Sequence, residues 1–89
     1  DIYWQGHAYL LLGEIREASG QEAGAAEAYQ KVIRQGAGYH SAAVSQALYK
    51  LSWIYEREKK YNELLVNLHD MEKNVGGGDH YIRFVETPA

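Results

Sequence analysis

The chain has 89 residues and a net charge of −3. That length allows one small domain, and the mild acidity argues against nucleic acid or an anionic membrane as the main partner. Cysteine is absent, which excludes a disulfide framework and a thiolate metal site and leaves the compartment open. No apolar run is long enough to span a membrane, so direct membrane insertion is not expected, and no signal-like segment stands out. The first residue is Asp1, not Met, so a mature or excised piece is expected. Eight tyrosines and two tryptophans stand against one phenylalanine. Aromatics with a polar tip suit half-buried surfaces such as interfaces.

Residues 3–18 read as a first helix, with Trp4, Ala8, Leu11, Leu12 and Ile15 at helical spacing and Ser19-Gly20 as its stop. Residues 22–35 read as a second. Ala25, Ala28, Tyr29, Val32 and Ile33 form its apolar face, and Lys31 and Arg34 sit where the helix dipole favours cations. Gly36-Ala37-Gly38 breaks the chain, and Ser41 is a candidate N-cap for a third helix over about 41–59. Val44, Ala47, Leu48, Leu51 and Tyr55 make one apolar stripe there, while Tyr49 and Trp53 make another on a different face. A helix with two apolar faces belongs between neighbours. A fourth helix is expected over about 61–74, with Tyr61, Leu64, Leu65, Leu68, Met71 and Val75 in one stripe, ended by Gly76-Gly77-Gly78.

The first half contains Tyr9-x-x-Leu12-Gly13, then Gly20, then Ala25-x-x-x-Tyr29-x-x-Val32. The second contains Leu48-x-x-Leu51-Ser52-x-x-Tyr55, then Lys59, then Leu64-x-x-x-Leu68-x-x-Met71, each element 39 residues on. This pattern resembles the tetratricopeptide repeat, a helix–turn–helix unit marked by a large residue, Leu-Gly, a Tyr, then Ala, an aromatic and Ala. Arg16, Ser52 and Leu64 depart from it, and the period exceeds the family's usual 34. Long connections of this kind look like those of bacterial envelope proteins of the family, such as Tol–Pal coordinators, outer-membrane assembly lipoproteins and gliding-motility proteins. A periplasmic or envelope location is the expectation that resemblance carries. Small residues at Gly13, Ser52, Ala25 and Ala28 are expected to let helices approach.

The expected architecture is all-α: two antiparallel helix pairs in right-handed solenoid order, plus a short C-terminal element. Repeat one covers about 3–35 and repeat two about 41–75, within a domain of residues 1–75. Residues 76–89 form a Gly-rich break and a tail. Gly76-Gly-Gly-Asp-His80-Tyr-Ile-Arg-Phe84 echoes Gly36-Ala-Gly-Tyr-His40-Ser-Ala-Ala-Val44. The tail therefore reads as a truncated third repeat capped by Asp79, as a fused extended peptide, or as a frayed end. Tyr81, Ile82, Phe84 and Val85 are its apolar residues and a candidate for self-association.

The resemblance implies a concave groove lined by the first helix of each unit. Its positions map to His7, Leu10, Glu14 and Glu17, and to Gln46, Tyr49, Trp53, Glu56 and Arg57. Tyr49 and Trp53, one turn apart off the core stripe, suit a platform for a partner peptide, because Trp, Tyr and Arg dominate binding hot spots. The competing reading packs Trp53 under a capping element. Glu14, Glu17 and Glu56 make either an acidic groove or a solvated helix face. His7, His40, His69 and His80 show no ligand spacing, so no metal is expected. Ser19, Ser41, Ser45 and Ser52 lack a nucleophile context, and the glycine runs lack the Gly-Lys-Ser/Thr of a phosphate loop. Arg57, Lys59 and Lys60 are diluted by Glu56 and Glu58 and read as a helix-end feature. The expectation is a non-catalytic scaffold without cofactor that binds a protein or peptide partner. The alternative is a homo-oligomerisation module stacking through the exposed ends of the solenoid.

Overall fold

The computed structural model describes residues 2–35 and 42–75. The Ser41 and Asp79 caps, His40, His80 and the whole 76–89 tail lie outside the described residues. Four helices follow one another: α1 (Ile2–Ala18), α2 (Glu22–Gln35), α3 (Ala42–Arg57) and α4 (Tyr61–Val75). The fold is all-α, a tetratricopeptide-like fragment of two helix–turn–helix units, with no strand among the described residues. α1 packs on α2 and α3 on α4, and α3 also meets both helices of the first pair.

Both turns use one device. After α1, Gln21 N–H donates to Arg16 O (2.8 Å) and Gly20 N–H to Glu17 O (3.1 Å). After α3, Lys60 N–H donates to Tyr55 O (2.8 Å) and Lys59 N–H to Glu56 O (3.1 Å). This is the Schellman pattern, which satisfies the last carbonyls of the helix and needs a left-handed residue just past its end. Gly20 supplies it at φ +80°, and Lys59 at φ +60°. Lys59 therefore ends α3 two residues before the expected boundary at 59.

The core runs through α2, α3 and one face of α4. Ala25, Ala28, Tyr29 and Val32 of α2 are buried, as are Val44, Ala47, Leu48, Leu51 and Tyr55 of α3, on the stripes their spacing predicts. Leu64 and Met71 of α4 join them, and Leu68 packs against the cluster. Tyr61 and Leu65, expected on that same α4 stripe, are exposed, and Asn67 is buried in their stead.

The first helix departs from expectation. Trp4, Leu11 and Ile15 face solvent, Ala8 is exposed, and the buried positions are Gly6, Leu10 and Gly13. The cause is close approach. A Cβ at Gly13 would lie 2.7 Å from Tyr29 Cδ1, closer than a side chain tolerates, whereas one at Gly6 would make an ordinary contact with Ala43 Cβ at 3.9 Å. A side chain at Gly13 would hold α1 off α2, so the face carrying Gly13, with Leu10, packs inward and the larger apolar stripe turns outward. Arg16, at the family's tyrosine position, lays its stem over Gly24 and donates to the Gly24 carbonyl (3.0 Å).

Leu51 is almost fully buried, so Leu51→Ala should cost roughly 2–4 kcal/mol in urea denaturation. An unchanged midpoint would contradict its core position. Lys59→Gly should act the other way. Relief of the left-handed backbone is worth about 1–2 kcal/mol, less about 0.4–1 kcal/mol of chain entropy. A net gain near 0.5–1 kcal/mol is expected, read from the same midpoint.

Candidate functional site

α1 and α3 lie side by side and point the same way. Gly6 meets Ala43 near their starts, Lys50 Nζ lies 3.3 Å from Glu14 Oε2 midway, and Arg57 Nη2 lies 3.2 Å from Glu17 Oε2 near their ends. At 3.6 residues per turn, Ala43, Lys50 and Arg57 mark the edge of α3 that meets α1. Gln46, Tyr49, Trp53 and Glu56 fall on the side next to that edge, away from the Val44–Leu48–Leu51–Tyr55 core stripe. Gln46 is exposed, and Tyr49, Trp53 and Glu56 are half-buried. On α1, His7 and Glu14 border the same seam, both half-buried.

Tyr49 and Trp53 form an edge-to-face pair, with ring centroids 6.3 Å apart and planes at 88°. That arrangement sets the positive edge of one ring against the negative face of the other, a contact worth about 0.5–1.5 kcal/mol beyond the area it buries. Both pack partly against the core. The result is a preorganised aromatic surface on α3 with part of its area open to solvent.

Two of the sequence-expected groove residues serve the chain itself. Arg57 donates from Nε and Nη2 to Glu22 (3.2 and 2.9 Å) and from Nη2 to Glu17 (3.2 Å). Tyr29 OH donates to the other oxygen of Glu17 at 2.7 Å. One network thus ties the end of α1, the start of α2 and the end of α3. The arginine side chain is 45 % exposed, so each ion pair is worth little alone, and the network chiefly fixes geometry. Burial works against the Arg57 charge, but the hydrogen-bonded Glu22 and Glu17 outweigh it and keep the guanidinium protonated. Glu14 and Glu17 each face a cation, so the acidic-groove reading is largely neutralised at these two positions.

Leu10 is a correction of register. It is 5 % exposed and belongs to the core, whereas its neighbour Leu11 is 57 % exposed. Leu11 lies one turn from His7 and is the leucine available beside this seam. The spacing Gly6, Leu10, Gly13, Glu17 marks the packed face of α1 and was the signal to follow. Lys50 and Glu22, which pair with groove positions, were missed because nothing local announces a partner 35 or more residues away. Among the described residues no group of three or more His, Asp or Glu is placed to hold a metal ion. No helix among them is long and apolar enough to cross a membrane.

Tyr29 is fully buried. Burial first, and then the Glu17 carboxylate it donates to, push its phenol well above the ordinary tyrosine range. The unfolded chain ionises near the ordinary tyrosine value of 10.0 while the folded chain keeps the proton. This group's contribution to stability is therefore complete below that pH and declines as pH rises above it. Tyr29→Phe should lose about 1–2 kcal/mol near neutrality. It should also make the alkaline decline shallower, as read by urea midpoints at about pH 8 and about pH 10.5. Parallel declines in both proteins would contradict this role.

Comparison with known families matches residues 7–35 to the tetratricopeptide repeat. That segment spans most of α1 and all of α2, and it supports the tetratricopeptide family. No curated protein and no solved structure matches the chain. Repeats of this family generally mediate protein–protein interactions and are typically non-catalytic scaffolds.

Proposed function

We propose that this tetratricopeptide-type pair of repeats binds a partner peptide across the α1/α3 face. The observation that carries the reading is the Tyr49–Trp53 pair. Its rings meet edge to face and pack partly against the core, lie off the core stripe and adjoin the seam between the two first helices of the repeats. Rigid aromatics present large contact area at small entropic cost, and such side chains dominate binding energy where they are central. Around it stand Leu11 and His7 from α1 and Gln46 and Glu56 from α3. A peptide with an apolar anchor for the rings and polar groups for the rim fits that chemistry. Glu17 and Arg57 support the face by fixing the helix ends.

Self-association is a second reading. The exposed Trp4, Leu11 and Ile15 on α1 and the exposed Tyr61 and Leu65 on α4 stand on the first and last helices, where stacked copies would meet. Light scattering over a wide concentration range tests it, and a constant monomeric mass removes it. The long connection between the repeats favours an envelope location.

Peptides selected from a random display library on the intact chain give the direct test. Trp53→Ala should weaken their binding by roughly 2 kcal/mol, about thirtyfold, with helicity by circular dichroism unchanged. Selected peptides indifferent to Trp53→Ala would place binding elsewhere. Unfolding by Trp53→Ala would make Trp53 a core residue and remove the proposed face.

A further inference from the structure

The carboxylates along the α1/α3 face are not equally matched. Glu14 lies 3.3 Å from Lys50, while Glu17 and Glu22 share Arg57 at 3.2 and 2.9 Å. Glu56 enters no ion pair with the described residues. Lys60, one turn further on, lies 3.3 Å from Glu58 instead.

The place of Glu56 is unfavourable for an acid on two counts. It is half-buried, and a carboxylate drawn out of water without a cation loses solvation that nothing returns. It also stands in the last turn of α3 (Ala42–Arg57), where the negative end of the helix dipole repels an anion. A cation arriving from outside relieves both. The charge of the whole face points the same way. Glu14, Glu17, Glu22 and Glu56 stand against Lys50 and Arg57, and even with Lys59 added the face keeps an acidic excess.

Aromatic rings adjoin this carboxylate. Helical side chains lean toward the N-terminus, so Glu56 reaches back over the turn that carries Trp53. Trp53 in turn meets Tyr49 edge to face. The faces of such rings attract cations through their quadrupole. The chain already holds one contact of that kind, with Lys31 Nζ 5.3 Å from the centroid of the Tyr9 ring. A ring face beside a carboxylate matches a guanidinium in particular. Its flat face stacks on the ring while its N–H groups donate in a fork to the carboxylate. An ammonium is more strongly hydrated and uses the same site less well. The aliphatic stem of arginine also supplies the apolar contact that the rings favour.

We propose that Tyr49, Trp53 and Glu56 form an arginine-binding subsite, which takes one guanidinium of a basic partner peptide. The proposal rests on the peptide-binding reading and adds to it the side chain that the rings hold. Peptides selected from a random display library on the full chain are the probe. Those that lose binding with Trp53→Ala should share an arginine. Replacing it by citrulline, a neutral isostere, should weaken binding about tenfold. Glu56→Gln should remove most of the difference between the arginine and citrulline peptides. It should also flatten the fall in affinity between about 50 and about 300 mM salt. Glu27→Gln, which removes an exposed carboxylate of α2, should leave affinity unaltered.

Trp53-dependent peptides without a shared arginine would overturn the subsite and leave the peptide-binding face standing. So would an arginine preference undiminished in Glu56→Gln, or an equal loss in Glu27→Gln, which would assign the effect to net charge. Failure to select any Trp53-dependent peptide would overturn the face and the subsite together. The citrulline arm uses the unsubstituted chain, so it decides even where Glu56→Gln alters helicity.

Discussion

Helix α3 has to be covered on three sides, and the rest of the structure follows from that. It meets α1, α2 and α4, whereas among the described residues α4 meets α3 alone. Its stripe of Val44, Ala47, Leu48, Leu51 and Tyr55 is buried, and removing that apolar area from water requires both the preceding pair and its own partner. Coverage on three sides leaves one strip of α3 open, beside the seam with α1. Tyr49 and Trp53 stand on that strip. The position of the candidate binding surface is thus a consequence of how the core is closed.

The two repeats show which parts of the unit are fixed by geometry and which are free to drift. Both turns keep the Schellman bonds to within the same distances, although Gly20 is replaced by Lys59 at a backbone angle that costs energy for any side chain. The close approach of α1 and α2 needs Gly13 against the Tyr29 ring. In the second copy Leu68 replaces that ring, and Ser52 replaces the glycine. With the tyrosine goes its hydroxyl, and with it any counterpart of the bond to Glu17. The polar network at Arg57 accordingly belongs to the junction between repeats and has no copy at the far end among the described residues.

Much of this was legible in the residues. The bounds of α2 follow from Gly20 and Gly36 on either side, and the core stripes of α2 and α3 follow from period-3.6 spacing because their aliphatic residues gather on one face, with Tyr49 and Trp53 of α3 set apart on another. The face of α1 was misread for the opposite reason. Its larger apolar residues, Trp4, Leu11 and Ile15, stand outside, and its packed face is marked by glycines that spacing arguments weighted toward large side chains overlook. Leu10 and Leu11 exchanged roles with it. Tyr61 and Leu65 fall on the predicted stripe of α4 and are exposed, whereas Leu64 and Met71 on the same stripe are buried, since among the described residues α4 packs on α3 alone and α2 packs on both α1 and α3. Glu17 and Arg57 were read as groove residues, and nothing in their local sequence shows that they bind each other across 40 residues.

The central claim is that α3 is the shared core of both repeats and that the two pairs fold as one unit. Native-state hydrogen exchange in increasing low concentrations of urea tests this most directly. Amides of Leu48, Leu51 and Ile54 in α3 and of Tyr29 and Val32 in α2 should exchange only through global unfolding, with a common free energy and a common urea dependence. The outer turns of α1 and α4 should open at lower cost. Separate free energies for α1–α2 and α3–α4, or α3 amides that exchange before those of α1, would contradict it.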